Sequence, residues 1–438
     1  MKKTLRVLIA AALAVFASAC AKPAASGGYN FDAPQECLTA AAADERLREF
    51  LNVSAEFPDG DAGARLSYTE SEKLAAERIE SKLVSFGYEV TAQPFEFVDG
   101  VKTSRNIIAK KAAAEGGSGS VVIAANYDNY ILPRYSAYGL AADPADMKKS
   151  AGAMDNGTGV AALLTLCDYY KDKNLPFGLV FLFAGAGADT TDGADKFVSE
   201  MSAAEKKSTL LAVNLRRFGG DGMYLYTDEV KRRHHGYILT AAADSGVPVS
   251  SVPKNIPMLN TQTAKTLPYS TYAMRGVHAS FMAENIPVAN IFSGNLNTAN
   301  LSDVESKDSP NIAATPSDTY TELKNVRPDY ARQMSAAAVL TAALLARPDF
   351  ADAMTASRAA FNGYGIVSKI WILYLCVFAL YLALVVLLAS VAKRLEKKYP
   401  PVPPAAKRRP PVFGSEYEDS SDPLDPFSDS ADPLDPFS

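Results

Sequence analysis

The segment Ala151-Gly-Ala-Met-Asp155-Asn-Gly-Thr-Gly-Val-Ala-Ala-Leu-Leu164 places a carboxylate on a glycine-bearing turn that opens an apolar helix. Helical patterns cover residues 159–170 and 326–345. Around them lie short, nearly continuous apolar runs at residues 120–125, 178–183, 210–215 and 288–292, and such runs are typical of buried central strands. The alternation of strand and helix predicts an α/β sandwich.

The residues before this region show two further patterns. Residues 70–86 carry apolar side chains at helical spacing, which predicts a helix. Residues 88–97 and 104–110 alternate with a period of two on either side of the turn signal Asp99-Gly100, which predicts a pair of strands. Together these patterns predict one folded domain over residues 31–348.

The composition argues against nucleic-acid binding. The chain of 438 residues has 44 basic and 49 acidic side chains and a net charge of −5, whereas a protein that binds nucleic acid is expected to carry a basic surface. Histidine is scarce, with His234, His235 and His278 in the whole chain. This scarcity limits the metal sites that the chain can build.

The amino terminus has the pattern of a secretory signal. Residues 1–6 include three cationic side chains, and the 13 residues 7–19 are uncharged. A helix of that length covers about 20 Å, which is too short for a hydrocarbon core of about 30 Å, so residues 1–20 are predicted to be a signal peptide. Its end, Ala17-Ser-Ala-Cys20, resembles a bacterial lipobox and predicts lipidation of Cys20, while plain cleavage and an uncleaved anchor stay open. Residues 21–30 form a predicted tether.

A predicted transmembrane helix lies near the carboxyl terminus. Residues 370–392 carry no charge, and a helix of that length spans about 34 Å, enough to cross a bilayer. Seven basic side chains follow within residues 393–409, and two precede the span within the joining segment 349–369. This asymmetry predicts a cytoplasmic carboxyl terminus, with residues 21–369 outside the cytoplasm at the cell membrane.

The tail after the span, residues 393–438, has a composition that cannot bury a core. It begins proline-rich and basic, then becomes acidic with no positive charge after Arg409, which predicts a disordered cytoplasmic tail. The tail repeats one motif, Asp422-Pro-Leu-Asp-Pro-Phe-Ser428 and Asp432-Pro-Leu-Asp-Pro-Phe-Ser438. The repeat predicts docking of a cytoplasmic partner, and a merely solvated tail is the alternative.

Two cysteines lie in the predicted extracytoplasmic domain. Cys37 and Cys167 would meet an oxidising environment there, in which disulfides form. The sequence leaves open whether the two residues form a disulfide or remain two buried thiols.

Several segments together resemble the co-catalytic zinc aminopeptidase family, which includes bacterial leucyl aminopeptidases and glutaminyl cyclases. The turn at Asp155 is similar to the family's Asp-Asn-Gly-Ser/Thr-Gly segment, which supplies a metal-bridging aspartate. The other similar segments are Val121-Val-Ile-Ala-Ala-Asn-Tyr-Asp128, Phe183 to Val198, Ala212-Val-Asn-Leu-Arg216, His278-Ala-Ser-Phe281 and Ala314-Thr-Pro-Ser-Asp318-Thr319. The resemblance implies a three-layer α/β sandwich with a mostly parallel, mixed central sheet.

The resemblance also implies a metal site, and this sequence lacks most of it. The family holds two zinc ions with two histidines, two terminal carboxylates and a bridging aspartate, and uses a glutamate base. The ligand positions correspond here to Asn126, Asp155, Ala188, Arg216 and Ala314, and the base position to Gly187. Of these, Asp155 alone keeps a family ligand, and alanine and arginine side chains cannot donate a lone pair to zinc. We therefore expect no cofactor and no catalytic base.

The residues that remain suggest a vestigial pocket. Asp128 matches the family carboxylate that orients the first histidine, and Asp155 lies in the same pocket by resemblance. We hypothesise that the guanidinium of Arg216 takes the place of the metal charge and neutralises both aspartates. His278 is expected to be a structural or pocket-lining histidine.

The leading interpretation is a membrane-anchored pseudopeptidase that binds a peptide or protein ligand at this cleft. The fold supports such roles in metal-free ectodomains such as transferrin receptor and nicastrin, which is analogy. The alternative is an active zinc aminopeptidase with a rebuilt set of ligands, which would be drawn from His278, His234, His235, Asp189, Asp192 and Asp221. The adjacent His234 and His235 point in different directions on a helix and do not readily share a metal. A purely structural scaffold is a third interpretation.

Overall fold

The computed structural model describes residues 36–60, 63–97, 100–130, 150–188, 190–227, 234–252, 257–259, 266–268, 276–294, 312–313, 315–367 and 370–399. The predicted signal peptide with Cys20, the tether and the repeated tail motif lie outside the described residues. The chain divides into two units, Met1–Ser368 and Lys369–Ser438.

The first unit contains ten α-helices among its described residues. They are α1 (Ala40–Leu51), α2 (Glu70–Ser85), α3 (Thr158–Tyr170), α4 (Asp192–Glu200), α5 (Ala203–Ser208), α6 (His234–Asp244), α7 (His278–Ala283), α8 (Tyr320–Val326), α9 (Tyr330–Leu345) and α10 (Phe350–Val367). Helices α1 and α2 begin at threonine caps, because the hydroxyls of Thr39 and Thr69 accept hydrogen bonds from backbone amides of the first turn.

Among the described residues, eight strands form one sheet, and two form a separate antiparallel pair. They are β1 (Val90–Glu96), β2 (Thr103–Lys111), β3 (Ser120–Asn126), β4 (Gly178–Ala184), β5 (Thr209–Arg216), β6 (Gly222–Tyr226), β7 (Val249–Ser251), β8 (Pro257–Leu259), β9 (Thr266–Pro268) and β10 (Val288–Gly294). The sheet order is β1-β2-β4-β3-β5-β10-β6-β7. Its centre is parallel, since β3 pairs in parallel with β4 and β5, and β5 with β10. The expected mostly parallel, mixed sheet is confirmed.

The central strands are buried on both faces. Along β3, Val121 and Ile123 face a large core that includes residues of α1, α2, α3 and α9. Val122 and Ala124 point the other way, into a smaller core with α4 and α7. This alternation explains the continuous apolar runs, because both faces of each strand are covered by helices. The expected three-layer sandwich is confirmed.

The carboxyl-terminal helices of the first unit differ from the expected boundaries. The helix expected over residues 326–345 begins at Tyr330, and Val326 is instead the last residue of α8, because Pro328 disfavours helical geometry at the residue before it. The first half of α10 belongs to the folded core, since Phe350, Met354 and Ser357 are fully buried. The fold therefore continues beyond residue 348.

Cys37 and Cys167 are free thiols. Cys167 lies on α3 inside the large core, and Cys37 packs against that core while remaining half-buried. Of the two states that the sequence left open for this pair, the structure contains the reduced one.

The second unit is described by one helix, α11 (Ile370–Lys398). Its side chains from Val377 onward are exposed. Residues Val377–Lys398 have a mean hydropathy of 2.0 over their most apolar window, and within the described residues α11 is the single unbroken helix that is long and apolar enough to cross a membrane.

Candidate functional site

The family-related positions gather at one edge of the sheet. Asn126 ends β3, Arg216 ends β5, and Gly187 and Ala188 follow β4. These strands run parallel, so their carboxyl ends meet at the same edge, where open α/β sheets bind ligands. Asp155 lies in the turn Ala153–Gly157 that leads into α3.

Asp155 is buried, with 4% of its surface exposed. Its backbone amide donates to Asp318 Oδ2 over 3.0 Å, and its own Oδ2 lies 3.8 Å from Arg217 Nη1. Its other carboxylate oxygen, Oδ1, has no hydrogen-bond partner among the described residues. Asp155 is thus a buried anion that is paired on one side and unsatisfied on the other.

Asn126, at the position of the family's first histidine, is held in an amide network. Its Nδ2 donates to the backbone oxygen of Asp128 over 3.0 Å and to Asp128 Oδ1 over 3.2 Å. Its Oδ1 accepts from Asn156 Nδ2 over 3.1 Å. Asn156 in turn bonds to the backbone of Leu215 and Arg217. The network therefore joins the ends of β3 and β5 to the Asp155 turn through protein groups.

Asp128 is wholly buried and accepts four hydrogen bonds. Its Oδ1 accepts from Asn126 Nδ2 and from the amide of Gly187 over 3.0 Å, and its Oδ2 accepts from Ser67 Oγ over 2.7 Å and the amide of Ala188 over 3.0 Å. Burial raises the pKa of Asp128, and these hydrogen bonds oppose the rise.

Asp318 holds the Asp155 turn from the other side. Its carboxylate accepts from the amides of Met154 over 2.6 Å and Asp155 over 3.0 Å. Burial raises its pKa to about 7 against an ordinary value of 3.8. Asp318 closes the family-like segment that begins at Ala314, and Ala314 lies outside the described residues.

Sequence reasoning missed Glu72. This residue lies on the buried stripe of α2, three and four positions before Ala75 and Ala76, and is 2% exposed. Its Oε1 accepts from Ser104 Oγ and from the amide of Ala186, both over 2.8 Å, and its Oε2 accepts from the amide of Tyr68. Burial, together with the charge of Asp128, raises its pKa to about 7. A carboxylate on the apolar stripe of a helix is the signal that identifies it.

Sequence reasoning also missed Arg65, which is 0% exposed. Its Nε donates to the backbone oxygen of Tyr127 over 2.8 Å, its Nη2 to that of Gly152 over 3.1 Å, and its Nη1 to that of Ala151. Burial lowers its pKa to about 10, against the opposing charges of nearby aspartates that include Asp128 and Asp155. Arg65 is therefore a fixed positive charge beneath the site.

Arg216 and His278 lie together beside α7. A β-carbon at Gly276 would lie 3.2 Å from Arg216 Nη1 and 3.4 Å from His278 Nδ1. His278 is buried, with Nδ1 3.4 Å from Asn214 Nδ2. Because side chains alternate along a strand, Arg216 leaves β5 on the face of the smaller core, opposite to Leu215.

This geometry corrects the hypothesis about the counter-charge. We hypothesised that Arg216 neutralises Asp155 and Asp128, whereas among the described residues Asp155 forms its ion pair with the next residue, Arg217. Arg217 follows the last residue of β5 and has a φ of +32°, so the direction of its side chain is set by this local geometry and not by the alternation along the strand.

Four of the six side chains proposed for a rebuilt zinc site are engaged in other contacts. His234 contacts Ser357 Oγ over 2.8 Å and the backbone oxygen of Val288 over 3.0 Å, and His235 contacts the hydroxyls of Thr227 and Ser251. Asp192 accepts from Tyr68, and Asp221 pairs with Arg327. Asp189 lies outside the described residues.

The described residues do not fit a zinc site. Among them, no group of three or more histidine, cysteine, aspartate or glutamate side chains could hold a metal ion. A catalytic zinc ion needs three protein ligands, and at the family positions Asp155 offers one free oxygen while Asn126 is bound within the amide network. No chemical step through zinc is therefore derived for this chain.

The raised pKa values predict a pH dependence of stability. Glu72 and Asp318 have a pKa of about 7 in the folded protein and ordinary values of 4.5 and 3.8. Between about pH 4.5 and 7 the folded state therefore binds more protons than the unfolded state, and the free energy of unfolding should fall as the pH rises, by on the order of a few kcal/mol. Urea unfolding at pH 5 and pH 8 measures this difference, and equal or higher stability at pH 8 would contradict it.

Comparisons with known proteins agree with this architecture. The model of Peptidase family M28 matches residues 106–339. A zinc aminopeptidase from Bacillus subtilis has a TM-score of 0.50 and 16% identity, covering 70% of this chain and 95% of its own. An aminopeptidase from Aneurinibacillus sp. strain AM-1 has a TM-score of 0.50 and 15% identity, covering 72% and 95%.

A curated relative extends the same finding. The alkaline phosphatase isozyme conversion protein of Escherichia coli strain K12 is 25% identical over 229 residues, which are 48% of this chain and 65% of that relative. The match thus spans less than two thirds of the relative's length. Since the family model covers more than half of the sequence and the fold agrees, the chain belongs to Peptidase family M28.

Proposed function

We propose that this protein is a membrane-anchored, catalytically inactive member of its family that binds a peptide or protein ligand at the sheet edge. The observation that carries the proposal is the replacement of metal chemistry by protein contacts at the family positions. Asn126 is closed in an amide network, and Asp155 is paired with Arg217. The cleft is thereby held together by side chains and backbone amides.

The packing around Gly187 supports the absence of a catalytic base. A β-carbon at Gly187 would lie 2.7 Å from the β-carbon of Asn126 and 3.5 Å from Val277 Cγ2. Two carbon atoms do not approach to 2.7 Å without a shift of the backbone, since their optimal separation is about 3.5–4.0 Å. A glutamate at this position therefore does not fit unless the backbone moves. The packing around Gly187 is thus adapted to the absence of a side chain.

The charges of the site support the same interpretation. Arg65 is fixed beneath the aspartates by three backbone oxygens, and Arg217 lies beside Asp155. A buried anion without a compensating charge is strongly unfavourable. The two guanidinium groups supply the positive charge that metal ions supply in the family, and they do so without open coordination positions.

One observation favours the alternative, an active zinc-dependent aminopeptidase with non-standard ligands. Asp155 Oδ1 is buried and has no hydrogen-bond partner among the described residues, so it presents an acceptor to an incoming group. The same oxygen is equally suited to a hydrogen-bond donor on a bound peptide or protein. The assay below separates these two interpretations.

The anchoring part of the proposal rests on α11. Its apolar side chains are exposed, among them Phe378, Leu380 and Val386, and an exposed apolar helix of this length is stabilised by lipid. The excess of basic residues after the span supports a cytoplasmic tail with the domain outside the cytoplasm. The repeated Asp-Pro-Leu-Asp-Pro-Phe-Ser motif would then face cytoplasmic partners.

We expect the full-length protein to remain with membranes after an alkaline wash and, once dissolved in detergent, to show no hydrolysis of leucine p-nitroanilide above background. The physical reason is that the described site has neither a base nor a set of metal ligands. The assay is run with and without a chelator, and on the matched Asp155→Asn variant. Hydrolysis that both the chelator and the variant abolish would establish the active alternative, and release by the wash would refute the anchor.

A further inference from the structure

Three consecutive backbone amides at the cleft donate to carboxylates. The amide of Ala186 donates to Glu72 Oε1 over 2.8 Å, and those of Gly187 and Ala188 donate to the two oxygens of Asp128, each over 3.0 Å. The segment 186–188 lies between β4 and α4, where the family has its glutamate base and a glutamate ligand. This segment has Gly187 and Ala188 in place of the two family glutamates, and its backbone amides instead donate to the carboxylates of Glu72 and Asp128.

The segment is held in a conformation that it would not adopt freely. Ala186 has a φ of +43°, in the left-handed region that alanine rarely adopts. A β-carbon at Gly185 would lie 2.4 Å from Ser104 Oγ, so the backbone passes close to β2. A strained backbone persists only where its surroundings fix it, and here the two carboxylates provide that restraint.

The same two carboxylates also fix the turn before α2. Glu72 accepts from the amide of Tyr68, and Asp128 accepts from Ser67 Oγ over 2.7 Å. Tyr68 has a φ of +64° and its hydroxyl donates to Asp192 Oδ2 over 2.5 Å, at the start of α4. Glu72 and Asp128 thus join two loops on the cleft wall, residues 66–69 and 186–188, into one hydrogen-bonded unit.

We infer that Glu72 is a positioning residue of the cleft, which together with Asp128 fixes the 186–188 wall and so shapes the binding site without metal. This role rests on the proposed function, since Glu72 would hold the binding site in the shape that the ligand contacts. Glu72 is 2% exposed, and both of its oxygens accept hydrogen bonds from protein groups, so it acts through the wall and not on the ligand directly.

Amide hydrogen exchange of the full-length protein in detergent tests this role. In Glu72→Gln, an NH2 group replaces one of the two carboxylate oxygens, so the side chain can no longer accept from the amides of both Ala186 and Tyr68. We expect exchange in the peptides covering residues 66–69 and 185–191 to accelerate by about tenfold or more, with β3 and β5 unchanged. The matched control is Glu77→Gln on the same helix, whose half-exposed side chain lies 3.7 Å from Arg105, and it should leave both loops unchanged.

Several outcomes would overturn the inference. Unchanged exchange in both loops, or a uniform acceleration across the sheet, would show that Glu72 does not position the wall. If Glu72→Gln does not fold, amide exchange of the wild type is the test. The amides of residues 186–188 should then exchange as slowly as those of β3, and fast exchange would refute the role of the two carboxylates in fixing the wall. Wild-type protection that appears only when zinc is added would refute metal independence. Zinc-dependent hydrolysis, together with the expected acceleration of exchange in both loops of Glu72→Gln, would overturn the proposed function and leave the role of Glu72 standing.

Discussion

Replacing Arg65 with methionine is expected to lower the free energy of unfolding by about 3–5 kcal/mol, or to prevent folding. The guanidinium is 0% exposed and donates to three backbone oxygens, at Tyr127, Ala151 and Gly152. Methionine would remove these three hydrogen bonds, which leaves the oxygen of Gly152 with the amide of Gly157 as its donor, and would remove a positive charge from beneath the buried aspartates. Urea unfolding of the full-length protein in detergent measures the loss.

Two further variants make the Arg65 result specific. Arg65→Lys keeps the charge, but an ammonium group cannot reproduce the planar fork of donors, so it should recover only part of the stability. Arg48→Met on the exposed side of α1 is the control, and it should change stability by less than about 0.5 kcal/mol. Equal effects of Arg65→Met and Arg48→Met would show that the buried cation does not organise the site.

The second large effect is expected from restoring the family base with Gly187→Glu. The new β-carbon would lie 2.7 Å from that of Asn126, and overpacking of this kind destabilises proteins by about 1–3 kcal/mol or more. We expect a lower free energy of unfolding and no gain of leucine p-nitroanilide hydrolysis. The first is measured by urea unfolding and the second by the chromogenic assay.

The matched control for this variant is Gly236→Glu on α6, where a β-carbon would meet nothing within 4 Å. An exposed helical position tolerates glutamate better than glycine, so this variant should be neutral or slightly more stable. A Gly187→Glu protein as stable as the Gly236→Glu protein would mean that the cleft still has room for the base. Hydrolysis by Gly187→Glu would contradict the claim that the site has lost its metal, because the added base would then act on a zinc-bound water.

The sheet was predictable from sequence because its central strands are covered on both faces. Complete burial leaves a continuous apolar run, and the strands at residues 120–125 and 178–183 were found where those runs lie. The order of strands was not predictable from the runs, since each one fits any buried position in a sheet. Helix α8 ends at Val326, shortly before Pro328. The helical periodicity alone did not reveal this break, because the apolar spacing continues on both sides of it.

The site was predictable only where a sequence motif marks it. Asp155 and Asn126 lie at turns and strand ends whose neighbours resemble family segments, so their positions follow from the sequence. Glu72 and Arg65 carry no such motif, because their roles come from contacts with residues distant in the chain. Arg217 was missed because the direction of a side chain at a strand end depends on local geometry that the residue type does not encode.

The most direct test of the central claim is the zinc content of the full-length protein. The protein is purified in detergent, equilibrated with zinc, dialysed, and analysed by inductively coupled plasma mass spectrometry beside the Asp155→Asn variant. We expect substoichiometric zinc that is the same in both proteins, because Arg217, Arg65 and the Asn126 network take the place of the metal ions. Stoichiometric zinc in the wild type that is lost in Asp155→Asn would contradict it.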